Sequence, residues 1–111
     1  MTAVSNDYSY SDVFSRQVQA IGKPGDVLIC ISTSGKSGNA VRAAGAARSA
    51  GIKVISLVGS GECELAKLSD VVICAKCSKT CRVQECFLFI EHYICEQAER
   101  ALYGEAESPV P

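Results

Sequence analysis

Three short apolar runs, each followed by a segment with helical character, constrain the fold of this chain more than any other feature. The runs cover residues 27–31, 52–58 and 70–75, and continuous Val, Ile and Leu is typical of strands buried on both faces of a sheet. Four helices are predicted, over residues 9–22, 39–50, 62–69 and 82–102. Strands that alternate with helices form right-handed parallel crossovers. The sequence therefore predicts an α/β fold, a three-layer doubly wound parallel sheet of the Rossmann-like type.

The predicted sheet is small for such a fold. Three strands are few for a parallel sheet, and the first residues have the pattern of a chain in which a strand has just ended at Val4. We therefore expect residues 1–103 to form a partial domain that is incomplete at the N-terminus. Residues 104–111 are polar and contain proline, and we expect them to form a disordered tail.

Composition excludes several classes of protein. The formal net charge of −1 gives no basic surface for nucleic acid. No apolar stretch reaches the roughly 18 residues of a membrane span, and the N-terminus lacks the basic and apolar regions of a signal peptide. We expect a cytoplasmic protein that binds neither nucleic acid nor membrane.

The segment Ser32–Gly38 follows the first predicted strand and offers four hydroxyl groups and two glycines. Ligands of open parallel sheets bind where strands end and helices begin. A phosphate group needs many short donors, which hydroxyls, backbone N–H groups and a helix N-terminus supply. The alternative is a helix cap with extra serines, although a cap uses only one hydroxyl. Gly35-Lys36-Ser37 also resembles the end of a nucleotide-binding Walker A loop, but Cys30 stands where that motif requires glycine.

The last predicted helix is apolar almost all round, which predicts a buried helix. Gln84 and His92 are two polar exceptions that lie on one side of it, eight residues apart. They could be satisfied polar residues of the core or members of a site.

Several motifs together resemble the sugar isomerase (SIS) family, and within it the phosphoheptose isomerases. They are Ala3–Asp7, Val13–Gln17, Gly25–Leu28, Ile31–Gly35, Ser69–Val71 and Arg82–Glu85, with His92 following. The resemblance implies interconversion of sedoheptulose 7-phosphate and a heptose 7-phosphate. It also implies a homo-oligomer, usually a tetramer with sites shared between subunits.

The same resemblance implies roles for individual residues. His92 matches a catalytic acid/base histidine that also binds zinc, and Gln84 matches a residue that contacts both substrate and zinc. The other positions that match substrate-binding residues are Asn6, Asp7, Ser32, Thr33, Ser34 and Ser37.

The chain also departs from the family. His92 is its only histidine. The family's glutamate base, a second zinc-binding histidine and another phosphate-binding serine come from a part that precedes the region matched here. We therefore expect little or no isomerase activity from this chain alone. The alternative function is a non-catalytic SIS module that binds a phosphosugar or a protein partner.

Seven cysteines are an odd number, which argues against a disulfide framework. Cys30, Cys74 and Cys95 lie in apolar runs and are expected to be buried. The spacing of four cysteines resembles that of zinc or iron–sulfur ligands, namely Cys74, Cys77, Cys81 and Cys86. We favour incidental thiols over a metal cluster.

Overall fold

The computed structural model describes residues 1–104, and the rest of the predicted disordered tail lies outside the described residues. After α1 (Thr2–Asp7) comes a 3₁₀ turn (Tyr10–Asp12). The remaining elements, in chain order, are α2 (Val13–Ile21), β1 (Val27–Ser32), α3 (Gly38–Ser49), β2 (Lys53–Val58), α4 (Glu64–Lys67), β3 (Val71–Cys74) and α5 (Thr80–Tyr103).

The three strands form one parallel sheet in the order β1-β2-β3. Val27 of β1 lies opposite Lys53 of β2, and Ile55 of β2 lies opposite Val71 of β3. Each crossover contains a helix, as the sequence predicts. The parallel α/β fold is therefore confirmed.

Helices cover both faces of this sheet, which gives the three layers expected. On one face, α3 packs alanines against Val54 and Val58 of β2, and Leu65 of α4 joins the same cluster. On the other face, α5 packs Val83 and Phe87 against Leu57 of β2. The alanines allow α3 to lie close to the strands.

Two predictions about burial are wrong for this chain. On the side of the sheet where α5 packs on β2, the neighbouring strand β1 is not covered. Its residues Val27, Ile29 and Ile31 on that side are 56%, 39% and 48% exposed. The helix α5 is largely exposed as well, because only Val83 and Phe87 of its residues are buried. An apolar run predicts burial, but a segment is buried only where another element packs on it, and within residues 1–104 none covers these surfaces.

The N-terminal prediction also needs correction. Thr2–Asp7 is a helix, so Val4 lies within α1 and does not follow a strand. The predicted helix 9–22 begins with the 3₁₀ turn, whose first N–H groups are capped when Ser11 N–H donates to Ser9 Oγ at 3.1 Å. Within the described part of the chain, no helix has the length and apolar character needed to cross a membrane.

Candidate functional site

The segment between β1 and α3, residues 33–37, is shaped by hydrogen bonds among its own hydroxyl and backbone groups. Gly35 N–H donates to Ser32 Oγ at 3.1 Å, and Lys36 N–H donates to Ser34 Oγ at 3.2 Å. The hydroxyls of Ser32 and Ser37 lie 2.9 Å apart and share a hydrogen bond. We call Ser32–Gly38 the hydroxyl loop. Its ends are fixed by a strand and a helix, as a binding loop of a parallel sheet requires.

Ser37 stands at the N-cap of α3, but its side chain makes no capping hydrogen bond. This observation argues against the alternative in which the loop serines only cap the helix. The first N–H groups of an α-helix have no partner within the helix and carry its partial positive charge. Ala40 N–H donates to Asn39 Oδ1 at 2.8 Å, so the start of α3 presents the N–H groups of Gly38 and Asn39 beside exposed Ser37.

A second loop, between β2 and α4, holds the hydroxyl loop in place. Gly59 N–H donates to Thr33 O at 3.0 Å, and Leu65 N–H donates to Gly35 O at 3.3 Å. Gly35 has a φ of +65°, and a Cβ at this position would lie 2.3 Å from Cys63 Sγ. Only glycine fits both the backbone conformation and the contact. The sequence indicates that Gly35 leaves backbone N–H groups of the loop accessible. The contact between Gly35 and buried Cys63 could not be predicted, because it depends on how the two loops meet.

The four hydroxyl residues of the loop differ in exposure. Ser32 is 6% exposed and its hydroxyl is engaged inside the loop, whereas Thr33 is half-buried. Ser34 and Ser37 are exposed and can reach a ligand. Ser32 is therefore placed to shape the loop, and Ser34 and Ser37 are placed to contact what binds there.

Lys36 is an exposed cation inside the loop that sequence reasoning did not select as a site residue. In the sequence it belongs to the segment that resembles the end of a Walker A loop. Its position among hydroxyls could have indicated a further donor for a phosphate, since ammonium groups attract phosphate oxygens.

Asn6 and Asp7, which the resemblance assigns to substrate binding, lie at the end of α1 and are exposed. Among the described residues, no hydrogen bond joins either side chain to the hydroxyl loop. The part of the N-terminal segment that approaches the loop is the 3₁₀ turn, where Ser11 Oγ lies 3.7 Å from the position of a Cβ on Gly38. The assignment of Asn6 and Asp7 stays a prediction.

Gln84 and His92 are exposed on α5, so the possibility that they are buried polar residues of the core does not apply to this chain. They are separated by eight residues of helix, a rise of about 12 Å. Within residues 1–104, no hydrogen bond connects them to each other or to the hydroxyl loop. The start of α5 nevertheless lies near the loop, since Val83 Cγ1 is 3.5 Å from the position of a Cβ on Gly59, whose N–H donates to Thr33 O.

Zinc requires more donors than this arrangement offers. Gln84 and His92 are two potential ligands, and a zinc site normally has at least three from protein. In the described residues, no three His, Cys, Asp or Glu side chains are grouped so that they could hold a metal ion. The residues present do not form a zinc site by themselves.

The cysteines are free thiols in different environments. Cys30 is buried, and burial raises the pKa of its thiol from 9.0 to about 11, which keeps it protonated and unreactive. Cys74 is partly buried, but Cys95 is exposed, contrary to prediction, because the outer face of α5 is uncovered. Cys77, Cys81 and Cys86 are also exposed.

Comparison with known proteins gives the family. The SIS domain family matches residues 1–59, more than half of the chain, and the chain belongs to this family. Relatives that are similar to this chain are named phosphoheptose isomerases. That of Sulfurimonas denitrificans is 42% identical over 105 residues, which are 95% of this chain and 54% of the relative. That of Akkermansia muciniphila is 41% identical over 104 residues, 94% of this chain and 55% of the relative.

Solved structures agree with this assignment. Phosphoheptose isomerase GmhA from Neisseria gonorrhoeae superposes with a TM-score of 0.82 and 40% identity, over 86% of this chain and 54% of that one. The phosphoheptose isomerase from Francisella tularensis has a TM-score of 0.81 and 34% identity, over 86% of this chain and 51% of that one. The chain spans about half the length of the curated relatives it matches. The predicted family and fold are confirmed.

Proposed function

We propose that this chain binds a phosphorylated sugar through the hydroxyl loop and forms the phosphate-binding, C-terminal part of a phosphosugar isomerase. The observation that carries the proposal is exposed Ser37 at the start of α3, next to exposed Ser34. The Ser37 hydroxyl does not cap the helix and is held by the hydroxyl of Ser32 at 2.9 Å. Hydroxyl and backbone donors around a helix N-terminus suit the acceptor oxygens of a phosphate. The bracing of Gly35 from the second loop keeps these donors in position before a ligand arrives.

The proposed substrate is sedoheptulose 7-phosphate, and the product is D-glycero-D-manno-heptose 7-phosphate. Support comes from the relatives, which are named phosphoheptose isomerases. The reaction moves a carbonyl from C2 to C1. A base removes a proton from C1, an enediol forms, and a proton is returned to C2 while the hydroxyl proton passes from O1 to O2. A phosphate held at one end of the sugar would fix the distance between the loop and the reacting carbons.

His92 is the proposed proton-transfer residue, because an imidazole can accept and donate protons near neutral pH. Its exposure on α5 leaves it open to a substrate held by other groups. Gln84, two turns earlier on the same helix, is proposed to contact the substrate. Among the described residues no hydrogen bond joins either residue to the hydroxyl loop, so a bound substrate would have to bridge them. The resemblance to the family is the support for a homo-oligomer, with a tetramer as the proposal. The proposed compartment is the cytoplasm.

Zinc remains a proposal for the complete protein. Its chemistry would be to polarise the sugar carbonyl. Gln84 and His92 would be two of its ligands, and the other donors would have to come from another polypeptide segment. Because the described residues do not form such a site, we assign no step of the reaction to it.

A second candidate function is a non-catalytic module that binds a phosphosugar or a protein partner. It is favoured by the lack, among the described residues, of any group of three His, Cys, Asp or Glu side chains that could hold a metal ion beside His92. The two candidates share the loop and differ in turnover, so an isomerase assay of the assembled protein distinguishes them.

Calorimetric titration of the 111-residue chain with sedoheptulose 7-phosphate tests the proposal. We expect binding that is lost with unphosphorylated sedoheptulose. Ser34→Ala and Ser37→Ala should each weaken binding by about ten- to a hundredfold, since a hydrogen bond to a charged group contributes about 1.5–3 kcal/mol. Ser49→Ala, at the other end of α3, is the matched control and should bind normally. Equal affinity in the wild type and both loop variants would refute the assignment of the loop.

A further inference from the structure

Lys36 is the only charged residue of the hydroxyl loop, Ser32–Gly38. It is exposed, and it stands between Ser34 and Ser37, the two exposed hydroxyl residues that are placed to contact a ligand. Its backbone is held in position, since Lys36 N–H donates to Ser34 Oγ at 3.2 Å and the preceding residue, Gly35, has a φ of +65°. The side chain of Lys36 therefore leaves the loop from a fixed point beside these hydroxyls.

The ammonium group of Lys36 has no carboxylate partner among the residues that the structure describes. The next cation along the chain, Arg42 of α3, forms an ion pair with Asp12. Arg82, in the first turn of α5, forms an ion pair with Glu85. The first turn of α3 contains no acidic residue. Lys36 is therefore a cation whose charge no described residue neutralises through an ion pair.

The other donors of the hydroxyl loop are neutral hydroxyl and backbone N–H groups. A phosphate monoester carries a charge of about −1.5 to −2 near pH 7. Neutral donors bind its oxygens by hydrogen bonds but carry no full charge to offset that of the ester. A lysine ammonium is a point charge on a flexible stem, which suits it to phosphate oxygens. Its Coulombic attraction to a dianion is about twice that to a monoanion at the same distance.

We propose that Lys36 determines the charge specificity of the hydroxyl loop. Its ammonium group contacts the phosphate oxygens of the bound sugar, so that the loop prefers a doubly charged phosphate monoester to a singly charged ester of similar shape, such as a sulfate monoester. The inference rests on the proposed binding of a phosphorylated sugar by this loop. The serine hydroxyls recognise the tetrahedral oxygens, and Lys36 recognises their charge. The competing role is structural, in which the Lys36 side chain only stabilises the loop.

Calorimetric titration of the 111-residue chain with sedoheptulose 7-phosphate and with the corresponding 7-sulfate tests the inference. Lys36→Gln should weaken binding of the phosphate by about tenfold and of the sulfate by about threefold, because the lost attraction scales with the charge of the ligand. Raising the ionic strength from about 0.01 M to about 0.3 M should weaken phosphate binding less in Lys36→Gln than in the wild type, since salt screens exposed charges. Lys36→Arg keeps the charge and should retain most of the affinity and of the salt dependence.

Lys23→Gln is the matched control. Lys23 is also exposed, but it precedes β1 whereas the hydroxyl loop follows it, so the six residues of β1, a length of about 20 Å, separate the two. This variant should bind both esters as the wild type does.

The outcomes separate this inference from the proposed function. If the wild type binds the phosphate and Lys36→Gln binds it with the same affinity and salt dependence, the inference is overturned and the proposed function stands. An equal loss for both esters with unchanged salt dependence would assign Lys36 the structural role and would also overturn it. A wild type that does not bind the phosphate would overturn the proposed function and the inference together.

Discussion

At the scale of single residues, a buried serine hydroxyl lowers the stability of the fold when it has no hydrogen-bond partner and raises it when it has one. Ser56 of β2 is completely buried among the apolar residues between the sheet and α3, and its Oγ has no hydrogen-bond partner among the described residues. An unpaired buried hydroxyl costs free energy, because it has lost its bonds to water. The hydroxyl of Ser15, which is 8% exposed, instead donates to Asp12 O at 3.2 Å.

This difference predicts opposite outcomes for the same substitution. Ser56→Ala should raise the free energy of unfolding by about 1 kcal/mol, whereas Ser15→Ala should lower it by about 1 kcal/mol. Urea unfolding of the two variants and the wild type provides the measurement. Destabilisation by Ser56→Ala would mean that its hydroxyl has a partner in solution.

Prediction from the sequence worked best for residues whose role is local. The hydroxyls and glycines of Ser32–Gly38 could be assigned to one loop because they are neighbours in the chain. The contact between Gly35 and Cys63 could not, because it depends on how the loops after β1 and β2 meet in space. The four hydroxyl residues look alike in the sequence. It therefore could not be predicted that Ser32 would be buried within the loop while Ser34 and Ser37 are exposed.

At the scale of elements, α5 is attached to the sheet by very few side chains. Phe87 is 2% exposed and packs with Val83 on Leu57, whereas Phe89 is 74% exposed on the other side of the helix. Their common residue type makes them a matched pair for measuring how α5 is held.

Phe87→Ala should lower the free energy of unfolding by about 3 kcal/mol, because it removes a buried aromatic side chain and leaves a cavity. Phe89→Ala should change it by less than about 0.5 kcal/mol, as is usual for exposed positions. Guanidinium unfolding of the isolated chain compares the two. Similar losses for both would indicate that α5 packs through a different face.

The link between β2 and β3 depends on an ionised carboxylate. Val54 N–H donates to Asp70 Oδ2 at 2.8 Å, and Lys53 Nζ and Arg48 Nη1 lie 3.6 and 3.9 Å from Asp70 Oδ1. The backbone hydrogen bond from Val54, with these two cations, lowers the pKa of Asp70 below its ordinary value. The folded state therefore favours the ionised form more than the unfolded state does.

Asp70 should make the stability of the chain depend on pH in acid. Its contribution is complete above the unfolded-state pKa of about 4 and is lost as the pH falls through the lower folded-state pKa. Thermal unfolding between pH 7 and pH 2 should show a steeper acid loss for the wild type than for Asp70→Asn, which cannot ionise. Parallel curves would exclude this role of Asp70.

The elements themselves were largely predictable, and their burial was not. Apolar runs located β1, β2 and β3 to within about two residues, because a short continuous run of Val, Ile and Leu indicates a strand. The same runs predicted that β1 and α5 would be buried. Their exposed faces show that an apolar pattern alone does not determine burial, which depends on whether another element packs against the segment.

At the scale of the whole molecule, the chain combines a preformed loop with a sheet whose β1 edge is unpaired within the described residues. The hydroxyl loop is held by a hydrogen bond between its own Ser32 and Ser37 and by backbone hydrogen bonds from Gly59 and Leu65. The β1 edge and most of α5, including His92, are exposed. This division agrees with a chain that binds phosphate by itself and needs further polypeptide for isomerisation. The position of His92 relative to a substrate could not be predicted from the sequence, since it depends on tertiary contacts beyond the helix that carries it.

The most direct test of phosphate binding by the hydroxyl loop is an amide NMR titration of the 111-residue chain with sedoheptulose 7-phosphate, with inorganic phosphate as the minimal ligand. The account predicts that both ligands shift the amide signals of Gly35, Lys36, Gly38 and Asn39, and that amides at the far end of α3 do not move. Saturable binding of both ligands that leaves these four amides unchanged would contradict it.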